Sequence, residues 1–138
     1  MRGVFRFAIL LSLSGVLSKC TPALYMHLYN STDEVITLSK TESKEVVTIS
    51  PNTAADFSPM FLPGEQLLIQ TPRHKWTYSL RNLFVPQSLY QQHLGVMRSF
   101  GRIDSRGRIF ILAPPHEAGP PQEITQPTGF PVQPRTET

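Results

Sequence analysis

The residues of this chain that could do chemistry are four histidines, one cysteine and a group of arginines. His27 stands beside Met26, and His93 lies four residues before Met97, the kind of soft ligand pairing that suits copper. No two histidines are close in sequence, however, and a blue-copper centre would need a cysteine within the folded domain. No metal and no other cofactor is therefore expected. The chain has no GxSxG, no HExxH, no glycine loop to cradle phosphate and no CxxC. A cysteine nucleophile would have to be Cys20, at the junction of an expected export signal, where no pocket is expected to form around it. No catalytic residue is assigned, and an enzyme is not expected.

The arginines are the most suggestive surface feature. Arg98, Arg102, Arg106 and Arg108 cluster around one expected hairpin, turned at Ser105-Arg106-Gly107, and the four-residue spacing of Arg98 and Arg102 puts both on one face of a strand. Guanidinium forks bind carboxylate and phosphate in bidentate geometry. The cluster is expected to dock an anionic surface: lipid headgroups, a wall polymer or an acidic partner protein. The competing reading is that the charges keep a strand edge from aggregating. Asn30-Ser31-Thr32 matches the N-glycosylation acceptor pattern, and at the least it marks a polar turn. Trp76, Tyr78 and Leu80 alternate with Thr77 and Ser79, which makes them one face of a strand. That face belongs in a core, or else carries an aromatic platform for a carbohydrate.

Charge is distributed by segment. Arg2, Arg6 and Lys19 account for the whole formal net charge of +3. The remainder of the chain is neutral, which removes the compositional case for binding nucleic acid. Residues 20–70 are acidic on balance, residues 71–112 basic, and the end of the chain acidic again.

The three early cations belong to an export pattern. Arg2 and Arg6 open the chain, residues 7–17 form an apolar run, and Ser18-Lys19-Cys20-Thr21-Pro22 follows. The run is about half the roughly 20 apolar residues that a membrane-spanning helix needs. Residues 1–19 are therefore expected to be a signal peptide. Leu17-Ser18-Lys19-Cys20 resembles the lipobox of bacterial lipoproteins, with Lys19 where that family has a small neutral residue. The resemblance implies that Cys20 is acylated and becomes the new N-terminus, and Thr21 in place of Asp implies the outer membrane. Cleavage after Ser18, with Val16 and Ser18 as the small residues before the cut, is the alternative and would release a soluble secreted protein. A lone thiol can form no internal disulfide, so the domain must be held by its core.

Behind the signal, residues 20–112 read as a single small β domain. Residues 24–29 form a first strand that ends at Asn30-Ser31-Thr32-Asp33, with residues 34–39 as its hairpin partner. Residues 45–49, 54–61, 65–70 and 76–80 follow; Pro59 restricts the second of these to an edge or a bulge. Residues 98–104 and 108–112 form a hairpin with Gly107 at its left-handed position, and a short helix is expected within 85–94. About seven strands turning every 8–12 residues imply a small antiparallel β-sandwich, immunoglobulin-like or closing to a small barrel.

Residues 113–138 contain seven prolines and read as a proline-rich C-terminal tail. It is expected to be either disordered or a docking segment whose Phe130 enters a pocket, on its own domain or on a partner. The function expected is that of a noncatalytic scaffold in the cell envelope, lipid-anchored and binding another envelope component. A small extracytoplasmic enzyme, an enzyme inhibitor or a carbohydrate-binding sandwich are the alternatives.

Overall fold

The computed structural model describes residues 22–79 and 85–138. Residues 1–19, expected to be a signal peptide, and Cys20 and Leu80 lie outside the described residues. The strands in chain order are β1 (Ala23–Asn30), β2 (Ile36–Lys40), β3 (Val46–Ile49), β4 (Ala54–Phe57), β5 (Leu67–Gln70), β6 (Lys75–Tyr78), β7 (Gln91–His93), β8 (Val96–Ile103), β9 (Ile109–Ala113), β10 (Gln122–Glu123) and β11 (Thr136–Glu137). They make two sheets. Sheet A runs β10-β9-β8-β1-β4, with β7 also paired to β8, and sheet B runs β11-β6-β5-β2-β3. The sheets do not close into a barrel, so the sandwich expectation stands and the barrel alternative does not. Sheet A is mixed, because β1 and β8 run parallel over eight rungs, Ala23 opposite Val96 through Asn30 opposite Ile103.

Period-two alternation decides which side chains meet between the sheets. Met26, Leu28, Phe57, Ile103, Ile109 and Ile111 of sheet A pack on Ile36, Leu38, Ile49, Leu67, Ile69, Trp76 and Tyr78 of sheet B. Trp76 and Tyr78 are 1% and 0% exposed, so they are core residues and not a platform for sugars. The β8–β9 turn is fastened onto sheet B through them. The Tyr78 hydroxyl donates to Gly107 O at 2.7 Å. Gly107 has φ +73, and a Cβ there would come within 2.7 Å of the Trp76 ring, so only glycine satisfies both the turn and the packing.

β1 and β2 are not a hairpin. β1 pairs with β4 and β8, while β2 pairs with β3 and β5, so the chain crosses between sheets at residues 31–35. The physical reason is Asn30, an inward position of β1 that no apolar partner can satisfy. Its Nδ2 donates to Glu34 O (2.7 Å) and Ile49 O (3.0 Å), and its Oδ1 accepts from Thr32 N (2.9 Å). This polar knot bends the chain across the sandwich. It also fills the acceptor pattern: Asn30 is 0% exposed and its amide is spent on structure, not offered for glycosylation.

β4 is an edge strand that stops before Pro59, as proline requires. The helix expected within 85–94 is reduced to one 3₁₀ turn, Gln87–Leu89, and the chain then enters β7.

Residues 113–138 are part of the domain and not a separate tail. β10 pairs with β9, Val132 bridges Ile109, and β11 pairs with β6, so this segment passes from the edge of one sheet to the edge of the other. Prolines are accommodated because few rungs are used at each edge. A side chain supplies one more: the Gln126 amide accepts from Ile111 N at 2.8 Å and donates to Ile111 O at 2.9 Å, as a strand neighbour would. Val132 is buried and Phe130 packs on the core. Phe130 thus docks on its own domain, one of the two arrangements anticipated for it.

Removing residues 122–138 should cost about 3–5 kcal/mol, roughly the burial of Phe130 and Val132, a large part of a small domain's stability. Chemical denaturation checks this. An unchanged midpoint would mean that the segment only lies on the surface.

Candidate functional site

The outward face of sheet A carries the polar and aromatic groups that are not used in the core. Met26, Leu28 and Asn30 point inward, so Tyr25, His27 and Tyr29 point outward along β1. Cross-strand register then builds rows. One row runs Asp56, His27, Phe100, Leu112 and Glu123 across β4, β1, β8, β9 and β10. A second runs Ala54, Tyr29, Arg102 and Phe110. Tyr25 sits opposite Arg98.

Asp56 holds the centre of a small charge network. His27 Nδ1 lies 2.7 Å from its Oδ1, and Arg98 Nη2 donates to its Oδ2 at 2.9 Å. The His27 ring meets Phe100 edge-on, with centroids 5.8 Å apart. Phe100 and Leu112 are buried although they belong to the outward face, so the floor of this face is apolar. Beside it lies a cleft of about 370 Å³, lined among others by His27, Tyr29, Arg102, Leu112, Pro121 and Glu123. Tyr29, 37% exposed, lines it, and Tyr25, 36% exposed, stands on the same face further along β1. A concave apolar surface with a few fixed polar groups is the usual form of a binding site. His27 held by a carboxylate resembles an oriented general base. Among the described residues, no hydroxyl or thiol is hydrogen-bonded to that imidazole.

Arg98 and Arg102 share this face, as their spacing requires. Arg106 and Arg108 do not: they lie in the β8–β9 turn at one end of the sandwich. Three of the four are matched by carboxylates. Arg98 pairs with Asp56; Arg102 pairs with Glu123 and stacks over Phe110 at 4.0 Å; Arg108 pairs with Asp104 at 2.6 Å. Among the described residues, Arg106 alone of the four has no acidic side-chain partner. Asp104 also accepts from the backbone N–H groups of Arg106 and Arg108, each at 3.0 Å. Partial burial raises the Asp104 pKa, but the bonds from Arg108 and the turn amides outweigh this and leave it below the ordinary carboxylate value.

The same end of the molecule holds a second, more polar depression of about 460 Å³, lined by Asp33, Glu34, Arg73, His74, Trp76 and Ser105. Arg73 spans the two acids, with its Nε donating to Glu34 at 2.7 Å and its Nη2 lying 3.2 Å from Asp33. Desolvation raises the Glu34 pKa, and hydrogen bonds from Arg73 and Thr71 more than reverse it. His74 stacks on Trp76 and lies 2.7 Å from Glu137. These charges satisfy one another.

The alternation of residues 24–29 signals the Tyr25–His27–Tyr29 row. Asp56 could not be found from spacing, because it is 29 residues from His27 and meets it only through β1–β4 register. Among the described residues, no three His, Cys, Asp or Glu side chains are grouped as metal ligands. Comparison with protein-family models, with curated proteins and with solved structures found no match to this chain.

Asp104 supplies a test by pH. Its folded pKa is lowered, so its stabilisation is present above the unfolded carboxylate pKa, near 4, and fades as pH falls through the folded value. Asp104→Asn should cost about 1–2 kcal/mol at pH 7 through weakened turn hydrogen bonds. The difference from wild type should shrink in acid, as pH falls well below the ordinary carboxylate value. Thermal unfolding at neutral and acid pH measures it, and a cost independent of pH would contradict the assignment.

Proposed function

We propose that this chain is a noncatalytic binding domain of the bacterial cell envelope, exported by residues 1–19 and anchored through acyl chains on Cys20. It presents the outward face of sheet A to another envelope protein. The observation that carries the binding face is the placement of Tyr25 and Tyr29, two large aromatics left partly exposed on one sheet face with an apolar floor, Tyr29 lining a cleft. Tyrosine at such a position offers rigid contact area together with a hydroxyl, the combination that concentrates binding energy at interfaces. The anchor is supported by the cationic start, the short apolar run and the lone cysteine at their end.

A protein partner is favoured over an anionic polymer because Asp56, Glu123 and Asp104 already neutralise three of the four arginines. The enzyme alternative has less support: His27 is oriented by Asp56 but, among the described residues, has no nucleophile bonded to it.

Intact mass of the protein from the membrane fraction tests the anchor. Mass added at Cys20 is the expected result, and an unmodified soluble chain would refute it. Affinity capture from solubilised envelope tests the face. Tyr29→Ala should reduce recovery of the captured partner about tenfold, the effect of losing one interface anchor, while the melting temperature stays near that of wild type. Equal recovery by both proteins would place the interface elsewhere.

A further inference from the structure

The parallel pairing of β1 with β8 brings the beginnings of both strands to one end of the sandwich. Ala23 is opposite Val96, and its N–H donates to Gly95 O at 3.1 Å. Immediately before Val96 lies the two-residue turn between β7 and β8, Leu94-Gly95, with φ +47 and +76. A turn with two left-handed residues favours asparagine, aspartate or glycine. Leucine is bulky there and is strained. It is also 89% exposed, more than any other large hydrophobic side chain among the described residues. Folding gives no reason for an apolar residue at this tip.

The two chain segments that meet at the tip point the same way. Residues 85–97 contain no Asp, Glu, Lys or Arg, and neither do residues 21–32, in a chain of 17% charged residues. Cys20 precedes Ala23 by three residues, so the covalent chain holds it within about 11 Å of the start of β1. An acylated Cys20 therefore brings the Leu94 turn to the lipid surface. The other end of β8, with Arg106 and Arg108, is about 25 Å away at 3.3 Å per residue.

We infer that the Leu94-Gly95 turn is a membrane-contact tip, with Leu94 inserted at the bilayer interface beside the acyl chains. This rests on the anchor reading of Cys20. The tip sets the protein upright on the membrane, so that the arginine-bearing turn faces away from the lipid and sheet A stands perpendicular to it. An apolar side chain at the headgroup boundary adds to acyl anchoring in the manner of other interfacial contacts.

Trp76 is the only tryptophan and is buried in the core, which allows a direct test. Full-length Leu94→Trp and Arg106→Trp proteins are purified from the membrane fraction. Both are placed in phosphatidylethanolamine–phosphatidylglycerol vesicles carrying brominated acyl chains. The Leu94→Trp protein should lose most of its added emission and show a blue shift; the Arg106→Trp protein and the Trp76 signal should keep theirs. Retained Trp76 emission also reports that each variant is folded. If Cys20 is acylated but the Leu94→Trp emission is unquenched, or if both variants are quenched alike, the tip is refuted and the anchor reading survives. If Cys20 is unmodified and the protein stays out of the vesicles, the anchor reading and the tip both fall.

Discussion

The side chain of Asn30 is fully buried, so each of its polar atoms must find a partner inside the protein or cost the domain dearly. All of them do, and the partners lie on different elements. Its amide reaches the crossover at Glu34 and the end of β3 at Ile49, and its own backbone exchanges hydrogen bonds with Thr53 and Asn52. Ser31 N continues the knot by donating to Ile103 O at the end of β8. Asn30 and its neighbour Ser31 thus tie the ends of β1, β3 and β8 to the start of β4 and direct the chain from sheet A to sheet B. The face that carries Tyr25, His27 and Tyr29 is outward because Asn30 is inward.

Contacts elsewhere tie the two sheets together behind that face. Trp76 and Tyr78 clamp the β8–β9 turn through Gly107, and the last residues of the chain close the side between β9 and β6. Charge is then arranged in compensated pairs. Asp56 serves both His27 and Arg98, Glu123 serves Arg102, and Asp104 serves Arg108 together with two backbone amides. Pairs of this kind add little to stability where they are exposed, about 0–1 kcal/mol each. They fix side-chain positions and remove the free positive charge that a cluster of arginines suggests.

Local patterns in the sequence carry much of this architecture. Strands β1, β5, β6, β8 and β9 can be read from alternation and turn residues, Trp76 and Tyr78 from their spacing, and Gly107 from the geometry of a short hairpin. What cannot be read is whatever depends on distant pairing. The parallel union of β1 with β8 joins residues more than seventy positions apart. Asp56 meets His27 through register alone. Asn30 looks like a polar turn former, because nothing nearby reveals that Ile49 and Thr53 will surround it. The seven prolines of residues 113–138 argue against a ladder, and the structure answers with two-residue pairings and the amide of Gln126. Arg98 and Arg102 share a face as their spacing implies, but the acids that neutralise them lie on other strands.

Together these features give the molecule two unlike sheet faces and two unlike ends. Tyr29 on sheet A and Thr48 on sheet B are both exposed to solvent on opposite sides of the same sandwich. If the sheet A face is the binding surface, the two positions should behave differently in the intact envelope. Replacing each in turn with a photoreactive phenylalanine and irradiating whole cells measures this directly. The expected result is a discrete covalent protein adduct from the Tyr29 position and none from the Thr48 position. Adducts from Thr48 alone, or from neither position, would contradict the central claim that the outward face of sheet A binds a partner.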